Sequence, residues 1–242
     1  MTRILAKIIR KIGKRGFWYT AKWSWYQACE RYREWSLGIE TASWDERNES
    51  SSDPDCHCYE PLYYTCIDDF LRPLEIQPNE DVFLDYGSGK GRVLVQAGMY
   101  RFRRIIGVEM LAELNGIANE NIRRVKRKLK CKEITTVTAN AAFYKVPTDV
   151  TVIFLFNSFI GDALSAVQAR IRDSLDESPR KLTLIYMNPR KDRDAFTDCD
   201  WLVQKRELPT RLRDEMRLVV YESKLPTETA YTACSSSLSA SP

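Results

Sequence analysis

Residues 82–92 read VFLDYGSGKGR, and this stretch decides the fold. Its apolar first half ends at an acid, Asp85, and a turn with three evenly spaced glycines follows. The next residues, VLVQAG at 93–98, are typical of a helix. The pattern therefore predicts a strand, a ligand-binding loop and a helix, because glycines let the backbone bend sharply and leave no side chain between chain and ligand. In an open α/β sheet such a ligand lies just beyond the carboxyl ends of the strands.

A second acid follows one predicted strand later. The β-branched run RIIGV at 104–108 ends at Glu109. This acid stands about 20 residues after the glycine turn, the distance at which a βαβ unit brings an acid to a ribose. A carboxylate at this position can accept hydrogen bonds from both ribose hydroxyls. The two acids and the loop together predict a nucleoside-binding site.

The charge of the loop limits which nucleoside cofactor it binds. A dinucleotide site has the spacing G-x-G-x-x-G and places a pyrophosphate on the helix N-terminus. Here the spacing is G-x-G-x-G, close after Asp85. This carboxylate would repel an anion, and it would attract an ammonium or a sulfonium by about 1–4 kcal/mol at contact distance. S-adenosylmethionine carries both cations and no phosphate, so the loop favours this cofactor.

At these residues the sequence resembles the class I S-adenosylmethionine-dependent methyltransferases. Their first motif is similar to FLDYGSGKG and is followed one strand later by GVE, and the resemblance covers roughly residues 81–189. It implies an α/β, Rossmann-like fold with a seven-stranded, mostly parallel sheet and helices on both faces. It also implies that S-adenosylmethionine is bound by nine residues: Asp85, Gly87, Ser88, Gly89, Gly91, Glu109, Asn140, Ala141 and Asn157.

The residue after the third predicted strand, 134–138, departs from the family pattern. Asn140 stands where relatives commonly carry an acid that hydrogen-bonds the adenine amino group. The side-chain carbonyl of Asn140 can accept the same bond. Ala141 and Ala142 leave room for the adenine ring, and Phe143 is placed to stack on it.

The fourth predicted strand, 151–156, ends at Asn157-Ser158-Phe159, the position that faces the transferred methyl group in this fold. The triplet lacks the N-P-P-F/Y motif of nucleic-acid enzymes, which counts against base methylation. It resembles the Asn-Asn-Phe motif of the histone-lysine methyltransferases without a SET domain. We expect Asn157 to orient an amine acceptor, and a protein lysine is narrowly favoured over a small molecule, with RNA third.

An aromatic and acidic segment precedes the first predicted strand. In related methyltransferases such a segment closes over the methionine end of the cofactor, which makes Glu60, Tyr63 and Tyr64 candidates for a lid. Tyr63 and Glu60 are expected to assist Asn157 in catalysis. The sequence does not identify the general base, although His57, the only histidine, is a candidate. Cys56 and Cys58 flank it, but there is no second pair at zinc-site spacing, so no metal is predicted.

The first 35 residues are basic and aromatic. Apolar residues recur at helical spacing from Ile4 to Ile12, and basic residues fill the other face. Such a helix can pack on the domain, lie on an anionic membrane surface, or contact RNA phosphates or an acidic protein. Packing on the domain is the simplest interpretation, and residues 1–16 are the candidate contact for an anionic membrane surface or an acidic partner. Nucleic acid is less favoured.

A second aromatic pattern follows in the same region. Trp18, Trp25 and Tyr32 are spaced seven apart. This spacing favours a packed helical face over a base-stacking platform, which would need exposed rings. We expect residues 1–55 to form a helical extension and loop, residues 56–225 the methyltransferase domain, and residues 226–242 a disordered tail.

Composition sets the remaining limits. The chain has 242 residues, a net charge of +4 and seven cysteines. An odd cysteine count without a disulfide pattern suits a reducing compartment, and no apolar stretch reaches the length of a membrane span. We therefore expect a cytoplasmic protein, and one alternative is that it binds peripherally to a membrane. The alternative to an enzyme is a non-catalytic module that binds a membrane surface and keeps a cofactor pocket.

Overall fold

The computed structural model describes residues 13, 16–42, 59–156, 159, 161–189, 196–210 and 216–225. Within these ranges the helices and strands follow the predicted order. They are α1 (Phe17–Leu37), α2 (Tyr64–Leu71), β1 (Val82–Tyr86), α3 (Arg92–Ala97), β2 (Arg104–Glu109), α4 (Ala112–Val125), β3 (Ile134–Thr138), β4 (Val152–Phe156), α5 (Gly161–Glu177), β5 (Thr183–Met187), β6 (Leu202–Pro209) and β7 (Arg217–Ser223). Short 3₁₀ turns lie at Lys126–Lys128 and Ala141–Phe143.

The strands form one seven-stranded sheet in the order β3-β2-β1-β4-β5-β7-β6. The first five strands of the chain are parallel to one another, and β7 runs antiparallel to both β5 and β6. The central strands β1 and β4 are almost entirely buried, as strands covered on both faces should be. The sheet confirms the predicted Rossmann-like architecture.

Alternate residues of the central strands belong to two different hydrophobic cores. Leu84, on one face of β1, belongs to a cluster that includes Leu164 and Ile171 of α5. Phe83, on the other face, belongs to a cluster with residues of α2 and α3, among them Phe70. Because side chains alternate across a strand, the helices cover both faces, as predicted.

Two predictions about helices are wrong in detail. The sequence predicts one long helix over residues 111–130, but α4 ends at Val125, because the chain turns so that the backbone N–H groups of Lys130 and Cys131 donate to the carbonyl of Gly98. The aromatic residues of α1 do not form a packed face. Trp18, Trp25, Tyr32 and Trp35 are 83, 70, 67 and 77% exposed.

Several predictions fall on residues outside the described ranges. These are the basic helix before residue 13, the segment Cys56-His57-Cys58, Asn157, Ser158 and the tail from 226 onward. Among the residues that the structure does describe, no helix has the length and apolar character needed to span a membrane. The described part also contains no cluster of residues suited to hold a metal ion. A cytoplasmic location stays a prediction.

Candidate cofactor-binding site

The glycine turn lies where β1 and β2 end side by side. In the parallel register Asp85 is paired with Gly107 and Tyr86 with Val108. The backbone N–H groups of Gly87 and Ser88 donate to the carbonyl of Val108, at 2.8 and 3.1 Å. The turn after β1 is therefore fixed to the carboxyl end of β2, which brings the two predicted acids to one edge of the sheet.

Two glycines of the turn are required by their backbone conformation and their neighbours. Gly89 and Gly91 have φ angles of +51° and +78°, a region that residues with a Cβ rarely adopt. A Cβ at Gly91 would lie 3.0 Å from the Cβ of Ala118 on α4. A Cβ at Gly89 would collide with the ring of Tyr59. The turn is thus packed tightly between α4 and the segment before α2.

Glu109 holds this turn from the end of β2. One carboxylate oxygen accepts a hydrogen bond from the Gly89 N–H at 2.9 Å, and the other accepts one from the Leu111 N–H at 2.9 Å. Burial raises the pKa of Glu109, and these backbone donors act in the opposite direction. Since a carboxylate has about four lone-pair sites, each oxygen retains capacity for a further donor such as a ribose hydroxyl.

Asp85 is the most unusual group at this edge. It is 2% exposed, and its Oδ2 atom is buried without a hydrogen-bond partner among the described residues. Burial, and then the nearby charge of Glu109, raise the pKa of Asp85 well above its ordinary value. A buried carboxyl with an unpaired oxygen costs free energy unless a partner is supplied. A ligand with an ammonium group, as in S-adenosylmethionine, fits this position.

The third predicted strand brings the adenine candidates to the same edge. The Ala139 N–H donates to the carbonyl of Glu109 at 3.0 Å, so the loop after β3 begins beside that acid. The side-chain oxygen of Asn140 accepts a hydrogen bond from the Ala142 N–H at 2.9 Å, and this oxygen has a second lone pair for a ligand. Ala141 is buried, whereas the ring of Phe143 is exposed.

The predicted lid residues have different surroundings. Glu60 is exposed. The Tyr63 hydroxyl accepts a hydrogen bond from Gln27 of α1 at 3.0 Å. Tyr64 is 1% exposed under the Arg92 guanidinium, which lies 4.5 Å from the ring centre. Because Tyr64 is packed into the interior, it is a structural residue and its assignment to a lid is wrong.

The fourth strand ends at this same edge, and of the acceptor motif the structure describes Phe159 but not Asn157 or Ser158. Leu155 of β4 is paired with Tyr86 of β1. Phe159 is buried, and its ring centre lies 6.2 Å from that of Tyr86 in an edge-on arrangement. The described residues before and after Asn157 thus lie beside Tyr86, at the end of β1 where the glycine turn begins.

The sequence pattern does not show which residues connect the turn to α1. Arg92, at the start of α3, is almost completely buried and donates to Glu30 at 2.8 Å and to Glu34 at 2.9 Å. It also donates to the Thr41 hydroxyl at 2.6 Å and to the Leu62 carbonyl at 2.9 Å. A guanidinium presents five N–H donors in a planar fork, and here four side-chain and backbone acceptors surround it.

Tyr59 and Lys90 complete this connection. The Tyr59 hydroxyl donates to the Thr41 carbonyl at 2.6 Å, while its ring covers Gly89. The Lys90 ammonium pairs with Glu40 at 3.0 Å and lies 5.9 Å from the centre of the Tyr59 ring. Both basic residues of the motif thus contact the N-terminal extension. Tyr59 stood in the aromatic segment already singled out, but only the fold shows which ring of that segment reaches the turn.

This sheet, with its glycine turn between two buried acids, defines a class I, Rossmann-like S-adenosylmethionine-dependent methyltransferase. Residues 53–175 match the family model described as histone methylation protein DOT1. The match spans half of the chain and includes the glycine turn, both acids and the acceptor motif. The chain belongs to this family, which is a family of S-adenosylmethionine-dependent lysine methyltransferases. The predicted enzyme class and cofactor are confirmed.

Solved structures agree on the fold. An RNA methyltransferase from Salinibacter ruber in complex with S-adenosyl-L-homocysteine is 16% identical, with a TM-score of 0.50, and the alignment covers 69% of this chain and 97% of that one. A SAM-dependent methyltransferase from Aquifex aeolicus is 12% identical, with a TM-score of 0.52 and coverage of 65% and 89%. A geranyl diphosphate C-methyltransferase from Streptomyces coelicolor is 14% identical, with a TM-score of 0.51 and coverage of 68% and 78%. A comparison with curated protein sequences finds no match.

The acceptors named for these structures differ, since one acts on RNA and another on geranyl diphosphate. At this level of identity the likeness concerns the sheet and its helices. The acceptor of this chain must therefore be argued from the family and from the site.

Proposed function

We propose that this chain transfers a methyl group from S-adenosylmethionine to the ε-amino group of a protein lysine. The observation that carries the proposal is the DOT1 family match over residues 53–175. That match includes Asn157-Ser158-Phe159 at the end of the fourth strand, where the acceptor approaches in this fold. A family of lysine methyltransferases and an amide at the acceptor position both favour an amine.

Asp85 and Glu109 are the proposed cofactor anchors. The unpaired oxygen of Asp85 would accept from the cofactor ammonium group, which removes the cost of leaving that oxygen buried without a donor. Glu109 would accept from the ribose hydroxyls with the lone pairs that Gly89 and Leu111 leave available. Asn140 and Ala141 would line the adenine position beside Glu109.

The chemistry at the acceptor requires alignment and one proton transfer. The bound cofactor supplies an electrophilic methyl group on a sulfonium. A lysine amine must lose a proton before its lone pair can attack, and holding the amine in line supplies much of the rate. We propose that the Asn157 side-chain oxygen accepts one amine N–H and aims the lone pair. Tyr63 and Glu60 are proposed as assisting groups at the entrance.

The test is to incubate the purified chain with radiolabelled S-adenosylmethionine and separated fractions of histones, other lysate proteins, RNA and small molecules. We expect label in protein, and we expect it to disappear when the lysines of the acceptor are first blocked by acetylation. Asn157→Ala should abolish the labelling even at a cofactor concentration that saturates the variant, as calorimetry verifies. The matched control is Gln204→Ala, an exposed amide on the edge strand β6.

Three results would overturn the lysine proposal. Label confined to RNA would favour an RNA methyltransferase, and label confined to small molecules a small-molecule enzyme. Absence of label in every fraction, with cofactor binding intact, would favour the non-catalytic module.

A further inference from the structure

The outward face of α1 is an aromatic stripe that the domain does not cover. Phe17, Trp18, Trp25, Tyr32 and Trp35 are all more than 60% exposed. Positions seven apart differ by about 20° around a helix, so Trp18, Trp25 and Tyr32 lie along one line on the surface. With 21 residues at about 1.5 Å each, the helix is about 31 Å long. Large rings in this number are rarely left in water without a partner.

The exposed charged residues on α1 itself have one sign. Lys22 and Arg31 are exposed on α1. At the end of the helix, Lys128 donates to the carbonyl of Ser36 at 2.6 Å, and Arg124 donates to the carbonyl of Gly38 at 3.4 Å. Lys128 and Arg124 therefore lie at the C-terminal end of α1, where Arg124 also pairs with Glu120. The positive charge of the outer face comes from Lys22 and Arg31, with Lys128 at the end of the helix.

The acids of α1 do not offset these charges. The acids buried on the inner face, Glu30 and Glu34, are both engaged with Arg92. Residues 1–29 contain seven basic residues and no acid. Because the whole chain carries +4, the other 213 residues together carry −3. The positive charge is concentrated in residues 1–29, which include the first part of α1.

We propose that the outer face of α1 binds the surface of an anionic lipid bilayer. Trp and Tyr rings are favoured at the membrane–water interface, and Lys and Arg beside them attract anionic headgroups. The sequence before α1 has the same character, since Ile and Leu recur at helical spacing among basic residues from 3 to 15. Aliphatic residues in that pattern suit lipid, whereas single-stranded nucleic acid is bound by stacking and by cations.

The proposal is tested by flotation of the full chain with phosphatidylcholine vesicles, with and without phosphatidylserine. We expect flotation only with phosphatidylserine, and a decline as salt is raised. Lys22→Glu with Arg31→Glu should weaken the partitioning by at least about fivefold per position, the equivalent of losing one surface cation each. Trp18→Ser with Trp25→Ser should weaken it at unchanged net charge.

Matched controls separate the stripe from general effects of surface substitution. Val203→Ser with Leu225→Ser removes exposed apolar side chains away from α1, and Arg101→Glu with Lys224→Glu reverses exposed charges elsewhere. Both controls should float like the unchanged chain. Unchanged thermal unfolding midpoints and cofactor binding verify that the stripe variants are folded.

The proposal is overturned if the chain does not float with anionic vesicles, or if the stripe variants float as well as the controls. It is also overturned if the chain binds RNA in a filter assay but does not bind vesicles, and if the same substitutions abolish the RNA binding. A chain that forms a dimer and does not float would overturn the proposal too. If the tryptophan substitutions dissociate that dimer, the stripe joins two copies of the chain.

Discussion

The two faces of α1 reverse the usual arrangement of a surface helix. The inner face carries Glu30 and Glu34, both more than 90% buried, and the outer face carries three tryptophans and a tyrosine in water. An ordinary surface helix buries its apolar stripe and exposes its charged one. Here one residue of the catalytic domain, Arg92, accounts for the inner face, because its guanidinium pairs with both carboxylates.

The comparison shows that α1 is held in place by buried charge, which leaves its aromatic face available for another surface. Arg92 begins the helix that follows the glycine turn, so the attachment of α1 lies next to the cofactor site. The outer face touches the domain little. Substitutions on the two faces of one helix should therefore have very different effects.

The largest effect is expected at the inner face. Arg92→Met should lower the free energy of unfolding by about 3–5 kcal/mol, because it leaves two buried carboxylates without their cation. Urea unfolding followed by circular dichroism measures the change. The control is Arg172→Met, whose exposed pair with Asp176 on α5 should contribute about 0–1 kcal/mol. Equal effects of the two substitutions would show that the buried cluster does not hold α1.

A smaller effect is expected where Tyr59, tied to the end of the extension, rests on the turn. Gly89→Ala should cost about 1–3 kcal/mol more than Gly38→Ala. Both glycines have positive φ angles, so an alanine introduces backbone strain at either position. The alanine methyl group would collide with the Tyr59 ring at Gly89, whereas at Gly38 no atom lies within 4 Å of it. Urea unfolding of the two variants without ligand measures this difference. Equal losses of unfolding free energy would contradict the packing of Tyr59 on Gly89.

The smallest effect is expected on the outer face. Trp18→Ser with Trp25→Ser should change the free energy of unfolding by no more than about 0.5 kcal/mol per position, as for surface substitutions in general. The same urea experiment in the absence of vesicles provides the measurement. A loss of several kcal/mol would mean that these rings pack on the domain in solution, and the contrast between the faces would disappear.

The fold could be predicted because its signals are local. The strand VFLDY, the glycine turn and the run RIIGVE each show their role within a few residues, and β1 and β2 match them. The acids Asp85 and Glu109 followed from the same spacing. The end of α4 could not be predicted, because its basic residues are good helix formers and the turn is set by the distant Gly98 carbonyl.

The orientation of α1 could not be predicted for a related reason. Helical spacing shows which residues share a face, but it does not show which face meets the domain. That choice depends on Arg92, which lies 62 positions after Glu30 in the sequence. The spacing of Trp18, Trp25 and Tyr32 favoured a packed face, and nothing in the local sequence indicated that Glu30 and Glu34 are buried instead. The contact of Tyr59 with Gly89 is long-range in the same sense.

The most direct test of the central claim is calorimetric binding of S-adenosylmethionine as a function of pH. Burial and the nearby charge of Glu109 raise the pKa of Asp85 in the apo protein, so protonation of this carboxyl competes with the cofactor ammonium group as the pH falls. We predict that binding weakens as the pH falls through the raised pKa of Asp85, by up to about tenfold per pH unit. Asp85→Asn should weaken binding at high pH by about 1–4 kcal/mol and flatten the pH dependence. No binding, or binding that Asp85→Asn leaves unchanged, would contradict the account.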